Sequence, residues 1–276
     1  MNKKVLIIYN PVSGTKSKKT MISKLLNYYK SNNIDYCLFK TEYKNHAKQF
    51  CESSSLADYK DLIICGGDGT FNEVINGILI NKEQSFPRIG FLPGGTGNSF
   101  MHDLNAVEET QAIDKIIKNN SDTLDVLKLT YNNKTIYSFN IVGWGLVTDI
   151  LILAEKMRFL KSFRYNVASL FYILTAKGKK IKFIIDNHKI YNEKYLFILI
   201  CNTIHTGKGM KAAPKAKFND GQIDIVSVKS QISFFQLIKL FTQIFTGKHI
   251  NSPFVDYVNA KTINLIPENN EVLNID

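Results

Sequence analysis

The sequence lacks the features that mark several common protein classes. Its four cysteines form no Cys-x-x-Cys pair and its five histidines lack metal-ligand spacing, so neither a disulfide framework nor a zinc site is expected. The longest uninterrupted apolar run, Leu196 to Cys201, is far too short to cross a bilayer. Because an apolar run typical of a strand directly follows Met1 to Lys4, we expect no signal peptide. We therefore expect a reduced, cytoplasmic protein whose contact with a membrane is at most peripheral.

Several catalytic signatures are absent as well. No Gly-Lys-Ser or Gly-Lys-Thr follows the glycine-rich loops, and the Gly-x-Gly-x-x-Gly pattern of dinucleotide-binding proteins also fails. No Ser/His/Asp or Cys/His arrangement is evident. A nucleotide site, if present, must be built in another way.

What the sequence does have is an excess of positive charge. Lys and Arg number 35 and Asp and Glu number 24, which gives a formal net charge of +11 over 276 residues. One interpretation is a compositional bias that keeps the protein in solution; the other is attraction to phosphate-bearing ligands or to an anionic membrane surface. Nucleic acid is not an expected partner, because no basic patch with interleaved aromatic residues stands out.

Two glycine-rich loops are the strongest functional signal. Each follows an apolar run typical of a buried strand, and the loops are Gly66-Gly67-Asp68-Gly69-Thr70 and Gly94-Gly95-Thr96-Gly97-Asn98. Glycine lets backbone N–H groups approach a ligand, and loops that lead from parallel strands into helices cradle phosphates. The pair predicts a nucleotide site with Thr70 and Thr96 as candidate phosphate donors. The alternative is a pair of tight turns that use glycine for their geometry alone.

Asp68 lies between glycines, where few side chains compete with it. A carboxylate there can accept a proton from an attacking hydroxyl or orient that hydroxyl toward a γ-phosphate. It can also bind the cation that accompanies the phosphates, or simply brace the turn. We expect Asp68 to be catalytic, with the other two roles left open.

The hydrophobic pattern predicts two domains. Up to residue 122, four apolar strands alternate with helices, which is typical of a parallel sheet with right-handed crossovers. Residues 123–276 are richer in strands and contain two hairpin signals, Asn132-Asn133 and Asn187-His188, with helices expected over 150–176 and 231–246. The predicted fold class is therefore an α/β domain (1–122) followed by a β-rich domain (123–276) that carries helical insertions.

Three motifs give this chain a resemblance to a known family. They are Asn10-Pro-x-Ser13-Gly14, the segment from Gly66 to Gly77, and Leu92-Pro-Gly-Gly-Thr-Gly-Asn98-Ser-Phe. The match extends into the second half of the chain, at Asn202, the Gly207–Met210 segment and Asp220-Gly221-x-x-Asp224. They resemble the diacylglycerol kinase catalytic domain family, which includes diacylglycerol, sphingosine and ceramide kinases. The resemblance implies a three-layer α/β domain like that of NAD kinases, a C-terminal β-sandwich, and ATP in the cleft between them. It also implies ATP- and Mg²⁺-dependent phosphorylation of a lipid hydroxyl.

The resemblance implies a set of site residues by matching position. Asp68 would be the catalytic residue, and Asp220 matches a metal-associated position in some bacterial members. The positions that would contact or close around the nucleotide are Asn10, Ser13, Gly14, Thr41, Gly66, Gly67, Gly69, Thr70, Phe71, Asn72, Glu73, Gly94, Gly95, Thr96, Gly97, Asn98, Arg158 and Arg164.

One segment resembles the sphingosine and ceramide kinase branch. It runs from Gly143 to Asp149, and by this resemblance Asp149 would contact the polar head of the lipid. An aspartate suits a sphingoid base because it pairs with an ammonium and accepts from a hydroxyl. The alternatives are that Asp149 caps the following helix and that Arg158 lies on a solvated helix face. Diacylglycerol and other lipid alcohols stay open as substrates.

The resemblance also carries alternatives. NAD kinases share the Gly-Gly-Asp-Gly-Thr loop, so phosphorylation of NAD is a second enzymatic hypothesis. Family members continue with Gly-Glu after the position of Asp276, so we expect a truncated second domain, and a non-catalytic lipid- or nucleotide-binding protein is a third hypothesis. The apolar residues of 231–246 predict either a helix packed on a sheet or a surface for lipid or membrane.

Overall fold

The computed structural model describes residues 4–14, 18–81, 86–175, 177–207 and 209–276. Within these ranges it describes every side chain except those of Lys18, Arg158, Lys161, Ser162, Tyr165, Asn166 and Ile173. The chain divides after Phe139 into two compact units.

A parallel sheet forms the centre of the first unit. Its strands are β1 (Lys4–Tyr9), β2 (Tyr36–Lys40), β3 (Tyr59–Gly66) and β4 (Arg88–Pro93), in the order β2-β1-β3-β4. Its helices are α1 (Lys18–Ser31), α2 (His46–Ser53), α3 (Asp68–Ile80), α4 (Ser99–Asp103) and α5 (Glu109–Ile117). Strand β1 is buried from Val5 to Tyr9 because helices cover both faces of such a sheet. The predicted α/β architecture is confirmed.

The carboxyl ends of these strands are joined by backbone hydrogen bonds. Thr41 N donates to Tyr9 O at 2.9 Å, and Asn10 N donates to Cys65 O at 2.9 Å. Gly94 N donates to the Gly66 carbonyl at 2.6 Å. The segments that follow all four strands therefore meet at one edge of the sheet, which is where open α/β sheets bind ligands.

A hairpin completes the first unit. Strands β5 (Leu127–Tyr131) and β6 (Lys134–Ser138) pair around the predicted Asn132-Asn133 turn. The buried side chain of Asn76 on α3 donates to Tyr137 O at 2.8 Å and accepts from Tyr137 N at 2.9 Å. These bonds tie the hairpin to α3, so the first unit extends to Phe139, beyond the boundary expected at residue 122.

An antiparallel sheet forms the second unit. The strands are β7 (Ile141–Gly145), β8 (Lys179–Ile185), β9 (Lys189–Cys201), β12 (Ile223–Lys229), β13 (Val255–Ala260), β14 (Ile263–Pro267) and β15 (Leu273–Ile275), with a short hairpin of β10 (His205–Thr206) and β11 (Met210–Lys211). The main path of the sheet is β13-β12-β9-β7-β15, and β8 joins β9 to β14. The predicted β-rich second half is confirmed.

Helices also accompany this sheet. In the described part of the chain they are α6 (Leu146–Lys156), α7 (Arg164–Thr175) and α8 (Phe234–Gln243), and 3₁₀ helices cover Arg158–Phe163 and Lys248–Asn251. The continuous helix expected over 150–176 is wrong, because the backbone leaves the helical region at Met157 (φ −100°, ψ 32°) and continues as a 3₁₀ turn. No helix within the described ranges combines the length and the apolar character that a membrane crossing requires.

Candidate functional site

The two glycine loops predicted from the sequence lie against each other in the first unit. A Cβ on Gly95 would stand 2.6 Å from Gly67 Cα, and one on Gly67 would stand 3.0 Å from Gly95 Cα. Such distances leave no room for a side chain at Gly95. The glycines are therefore required for the close approach of the two loops, which brings backbone groups of both loops to the same edge of the sheet.

The segment after β1 packs onto these loops. Asn10 Nδ2 donates to Thr70 Oγ1 at 2.9 Å, and Asn10 Oδ1 accepts from Ser13 N at 3.2 Å. Gly14 has a φ of +60°, and a Cβ there would lie 2.0 Å from Gly94 O. Asn10, Ser13 and Gly14, which the family pattern singled out, thus belong to the same assembly as the glycine loops.

Asp68 is the first residue of α3 and is held from one side. Its Oδ2 accepts a hydrogen bond from Ser99 N, at the start of α4, at 3.0 Å. Its Oδ1 is buried and has no hydrogen-bond partner among the described residues. Burial raises the pKa of Asp68, and the backbone hydrogen bonds from Ser99 and Phe100 oppose that rise only in part. One carboxylate oxygen is therefore fixed, while the other is left for a ligand.

The second loop is closed by Asn98. Its backbone is left-handed (φ 48°), and its side chain accepts from Gly95 N at 2.9 Å and donates to Gly95 O at 3.0 Å. A Cβ on Gly97 would lie 3.3 Å from Asp68 Oδ2, so this glycine lets the loop pass close to the carboxylate. Thr96 is exposed at the tip of the loop, where its hydroxyl can reach a ligand.

Other predicted nucleotide residues have structural contacts of their own. Phe71 is buried and stacks on Phe91 with ring centroids 4.8 Å apart. Asn72 Nδ2 donates to Tyr137 O at 3.2 Å, and Glu73 Oε1 accepts from Asn45 N at 2.9 Å. These three side chains position α3. Two further residues are predicted to contact the nucleotide. Thr41 follows β2 and is buried, and Gly69 lies in the first turn of α3 and is exposed.

The second unit holds Asp149 in an ion-pair cluster. Lys179 Nζ lies 3.0 Å from Asp149 Oδ2 and 2.8 Å from Glu271 Oε2. The two carboxylates raise the pKa of Lys179 against the opposing effect of its partial burial. Sequence reasoning missed Lys179 and Glu271, because no local pattern links residues so far apart in the chain. Asp149 lies in the first turn of α6, where it also suits the positive end of the helix dipole.

The remaining predicted residues are also in the second unit. Arg164 begins α7 and pairs with Glu155 at 3.0 Å. The side chain of Arg158 lies outside the described part of the chain. Asp220 is exposed on a turn and accepts from Gln222 N at 3.1 Å. The described residues contain no group of three His, Cys, Asp or Glu side chains arranged to hold a metal ion.

Comparison with known proteins gives the family. Residues 4–129 match the diacylglycerol kinase catalytic domain, and residues 140–276 match the YegS C-terminal NAD kinase beta sandwich-like domain. A diacylglycerol kinase of Staphylococcus haemolyticus is 30% identical over 281 residues, which cover 100% of this chain and 82% of that protein. The chain belongs to the diacylglycerol kinase catalytic domain family. This confirms the resemblance inferred from the glycine loops.

Other relatives carry the names of either diacylglycerol kinases or sphingosine kinases. A diacylglycerol kinase of Staphylococcus carnosus is 29% identical, with 100% of this chain and 89% of that protein aligned. Sphingosine kinase 1 of Arabidopsis thaliana is 26% identical over 96% of this chain, but the chain spans only 64% of that protein. A crystal structure of a diacylglycerol kinase from Bacillus anthracis strain Sterne has the same fold, with a TM-score of 0.78, 24% identity, and 99% of this chain and 89% of that chain covered.

Proposed function

We propose that this protein is a lipid kinase that transfers the γ-phosphoryl group of ATP to the hydroxyl of a lipid alcohol. The observation that carries the proposal is Asp68: one of its carboxylate oxygens is fixed by Ser99 N, and the other is buried without a partner among the described residues. A carboxylate in this state, beside two glycine loops in a kinase family, suits phosphoryl transfer to an alcohol.

The first unit supplies the features that a nucleotide needs. The glycine loops present backbone groups without side chains in the way, and the N-terminal end of α3, at Asp68, lies at the same edge. Thr96 at the tip of the second loop would donate to a phosphate oxygen. Bound Mg²⁺ would supply neutralisation of the charge on the phosphates. Asp68 Oδ1, which is buried, suits that cation better than Asp220, which is exposed on a turn and belongs to no group of three potential metal ligands among the described residues.

Asp68 would take the proton of the lipid hydroxyl. A general base works best when its pKa approaches the working pH, and burial moves the pKa of Asp68 in that direction. The bond from Ser99 N restrains rotation of the carboxylate, which would leave Oδ1 to accept the proton of the hydroxyl. Binding of the cation by the same oxygen is the alternative role, and both roles require the negative charge.

The second unit would receive the lipid at Asp149. Because Lys179 already pairs with Asp149 at 3.0 Å, an incoming ammonium group would have to displace the ammonium of the chain itself. This favours a neutral lipid alcohol such as diacylglycerol over a sphingoid base. The staphylococcal relatives named diacylglycerol kinase agree with that choice. By the same proposal, the protein is cytoplasmic and meets its lipid substrate at a membrane surface.

A substrate panel tests the proposal. The purified protein is incubated with γ-labelled ATP, Mg²⁺ and either diacylglycerol, sphingosine or NAD, and the label in each product is measured. We expect a labelled lipid phosphomonoester, with diacylglycerol preferred. Label in NAD but in no lipid would select the NAD kinase hypothesis. ATP binding by folded protein without transfer to any acceptor would select the non-catalytic hypothesis.

A further inference from the structure

A short segment without regular secondary structure joins β2 to α2 at the edge of the sheet that carries the glycine loops. This β2–α2 connection runs from Thr41 to Asn45. Thr41 is buried, and its N–H donates to Tyr9 O at 2.9 Å. Asn45 is left-handed (φ 66°), and its N–H donates to Glu73 Oε1 at 2.9 Å. The two ends of the connection are therefore fixed to β1 and to α3, and the residues between them are held in another way.

His46, the first residue of α2, holds the middle of the connection. Its Nδ1 accepts a hydrogen bond from Glu42 N at 3.1 Å. Its ring stacks on that of Tyr43, with centroids 4.3 Å apart and planes 7° from parallel. The same ring meets Phe39 of β2 edge-on, at a centroid distance of 4.8 Å. One imidazole thus contacts two consecutive residues of the connection and is itself packed against β2.

The bond from Glu42 N sets the state of this imidazole. A neutral imidazole has one N–H and one acceptor nitrogen, and the donor in this bond is a backbone amide. The acceptor is therefore Nδ1, and the ring proton is on Nε2. The opposite tautomer would direct an N–H at the N–H of Glu42. The bond consequently exists in one tautomer only, which gives an observable that ring packing alone does not.

The same bond orients the peptide group between Thr41 and Glu42. No cis peptide bond occurs in the described part of the chain, and in a trans peptide the carbonyl and the following N–H point in opposite directions. Because Glu42 N–H points to His46 on α2, the Thr41 carbonyl points away from α2. Thr41 N–H is already bound to Tyr9 O. The two peptide groups that flank the Thr41 side chain are therefore both fixed.

We propose that His46 is a positioning residue for the nucleotide, which holds the β2–α2 connection so that the Thr41 hydroxyl is presented to ATP. His46 acts through Glu42 N and the peptide group of Thr41, without touching the nucleotide. The proposal rests on the proposed function for the identity of the ligand. It concerns nucleotide binding, whereas transfer to a lipid depends on Asp68.

Two substitutions separate the hydrogen bond from the ring contacts. His46→Phe keeps a ring against Tyr43 and removes the acceptor, whereas His46→Asn removes the ring and keeps an acceptor near the position of Nδ1. The probe is ADP, and its affinity is measured by titration calorimetry. We expect His46→Phe to weaken binding about three- to tenfold, as the loss of one hydrogen bond would, and His46→Asn to stay within about twofold of the unsubstituted protein.

His188 offers a matched control in the second unit. Its Nδ1 also lies within hydrogen-bond distance of a backbone group, the Asp186 carbonyl, at 2.7 Å, and the residue is exposed on the turn between β8 and β9. His188→Phe makes the same chemical change there and should leave the affinity for ADP unchanged.

A double-mutant cycle tests whether His46 acts through Thr41. Thr41→Val removes the hydroxyl that His46 is proposed to position. On that background, His46→Phe should weaken ADP binding by less than about twofold, because the two residues act as one unit. In the phosphorylation assay, His46→Phe alone should raise KM for ATP and leave kcat unchanged, because Asp68 is untouched.

Nitrogen-15 NMR of the histidine rings reads the tautomer in the unsubstituted protein, so the test does not depend on the folding of a variant. We expect the His46 ring, assigned by correlation to its own backbone, to carry a proton on Nε2 and none on Nδ1.

Three results would overturn the proposal: a proton on Nδ1 of His46, unchanged ADP affinity in His46→Phe, or the same loss of affinity with and without the Thr41 hydroxyl. Folded protein that does not bind ADP would contradict both this proposal and the proposed function. The expected effects on ADP binding without phosphate transfer to any lipid would contradict the proposed function alone.

Discussion

Replacing Asp68 by asparagine removes the charge of the carboxylate while keeping its shape. The side-chain oxygen of asparagine can still accept from Ser99 N, the bond that Asp68 Oδ2 makes at 3.0 Å, so the turn between the loops should keep its geometry. What the variant loses is the proton acceptor. Removing a general base typically costs about 100- to 10,000-fold in rate, which corresponds to about 3 to 5 kcal/mol of transition-state stabilisation.

The assay is steady-state phosphorylation of diacylglycerol in mixed micelles. We expect kcat of Asp68→Asn to fall by that factor while ATP binding, measured by calorimetry, changes little. Asp35→Asn makes the same chemical change at an exposed position of the first unit and serves as the control. In the unsubstituted protein, kcat should fall as the pH is lowered through the raised pKa of Asp68, because the protonated carboxyl cannot accept the substrate proton.

The Asp68→Asn substitution should lower activity without lowering stability. The pKa of Asp68 is higher in the folded protein than its ordinary value, so the folded state binds the proton more tightly than the unfolded state. Its contribution to stability is therefore present below the ordinary aspartate pKa and is lost as the pH rises through the folded pKa. At neutral pH, Asp68→Asn should melt no lower than the unsubstituted protein. Undiminished turnover of the variant, or a large loss of its stability at neutral pH, would refute the reasoning.

Three further substitutions test the loops, the ion-pair cluster and the hairpin. Gly95→Ala should abolish the rise in melting temperature that ATP causes, because the new Cβ would lie 2.6 Å from Gly67 Cα. Gly69→Ala should keep that rise, because nothing lies within 4 Å of its Cβ. The same response to ATP in both variants would contradict the packing of the loops. Lys179→Met should raise the ratio of sphingosine to diacylglycerol phosphorylation several-fold by freeing Asp149 for an ammonium, and an unchanged ratio would remove Lys179 from substrate selection. Asn76→Ala should lower the free energy of unfolding by about 1 to 3 kcal/mol in urea titrations, because it leaves Tyr137 N unpaired and Tyr137 O with the bond from Asn72 alone. A loss below about 0.5 kcal/mol would show that the hairpin is held elsewhere.

The sheet and the meeting of the glycine loops could be predicted from the sequence. Continuous apolar runs followed by glycine are short-range patterns, and parallel strands bring their carboxyl ends to one edge whatever the rest of the chain does. The contact of Gly67 with Gly95 follows from that topology. The place of Asn10 beside Thr70 follows in the same way, since both residues come just after adjacent strands.

Contacts between residues far apart in the chain could not be predicted. The sequence pattern predicts the hairpin around Asn132-Asn133, but it does not show the bonds from Asn76 that add this hairpin to the first unit. Lys179 reads as one lysine among several, and only the pairing of β8 with β9 and β14 brings it to Asp149 and Glu271. Phe71 matches the family's nucleotide loop by position, but its ring is buried against Phe91. The sequence pattern draws attention to Phe71, but only tertiary packing determines what these residues contact.

Mass spectrometry of the lipid product decides whether this chain transfers phosphate from ATP to a lipid hydroxyl. After incubation with ATP, Mg²⁺ and diacylglycerol, we expect one phosphomonoester of the lipid for each ATP consumed, and none with Asp68→Asn. Consumption of ATP without a phosphorylated lipid, or equal product from Asp68→Asn, would contradict the proposed function.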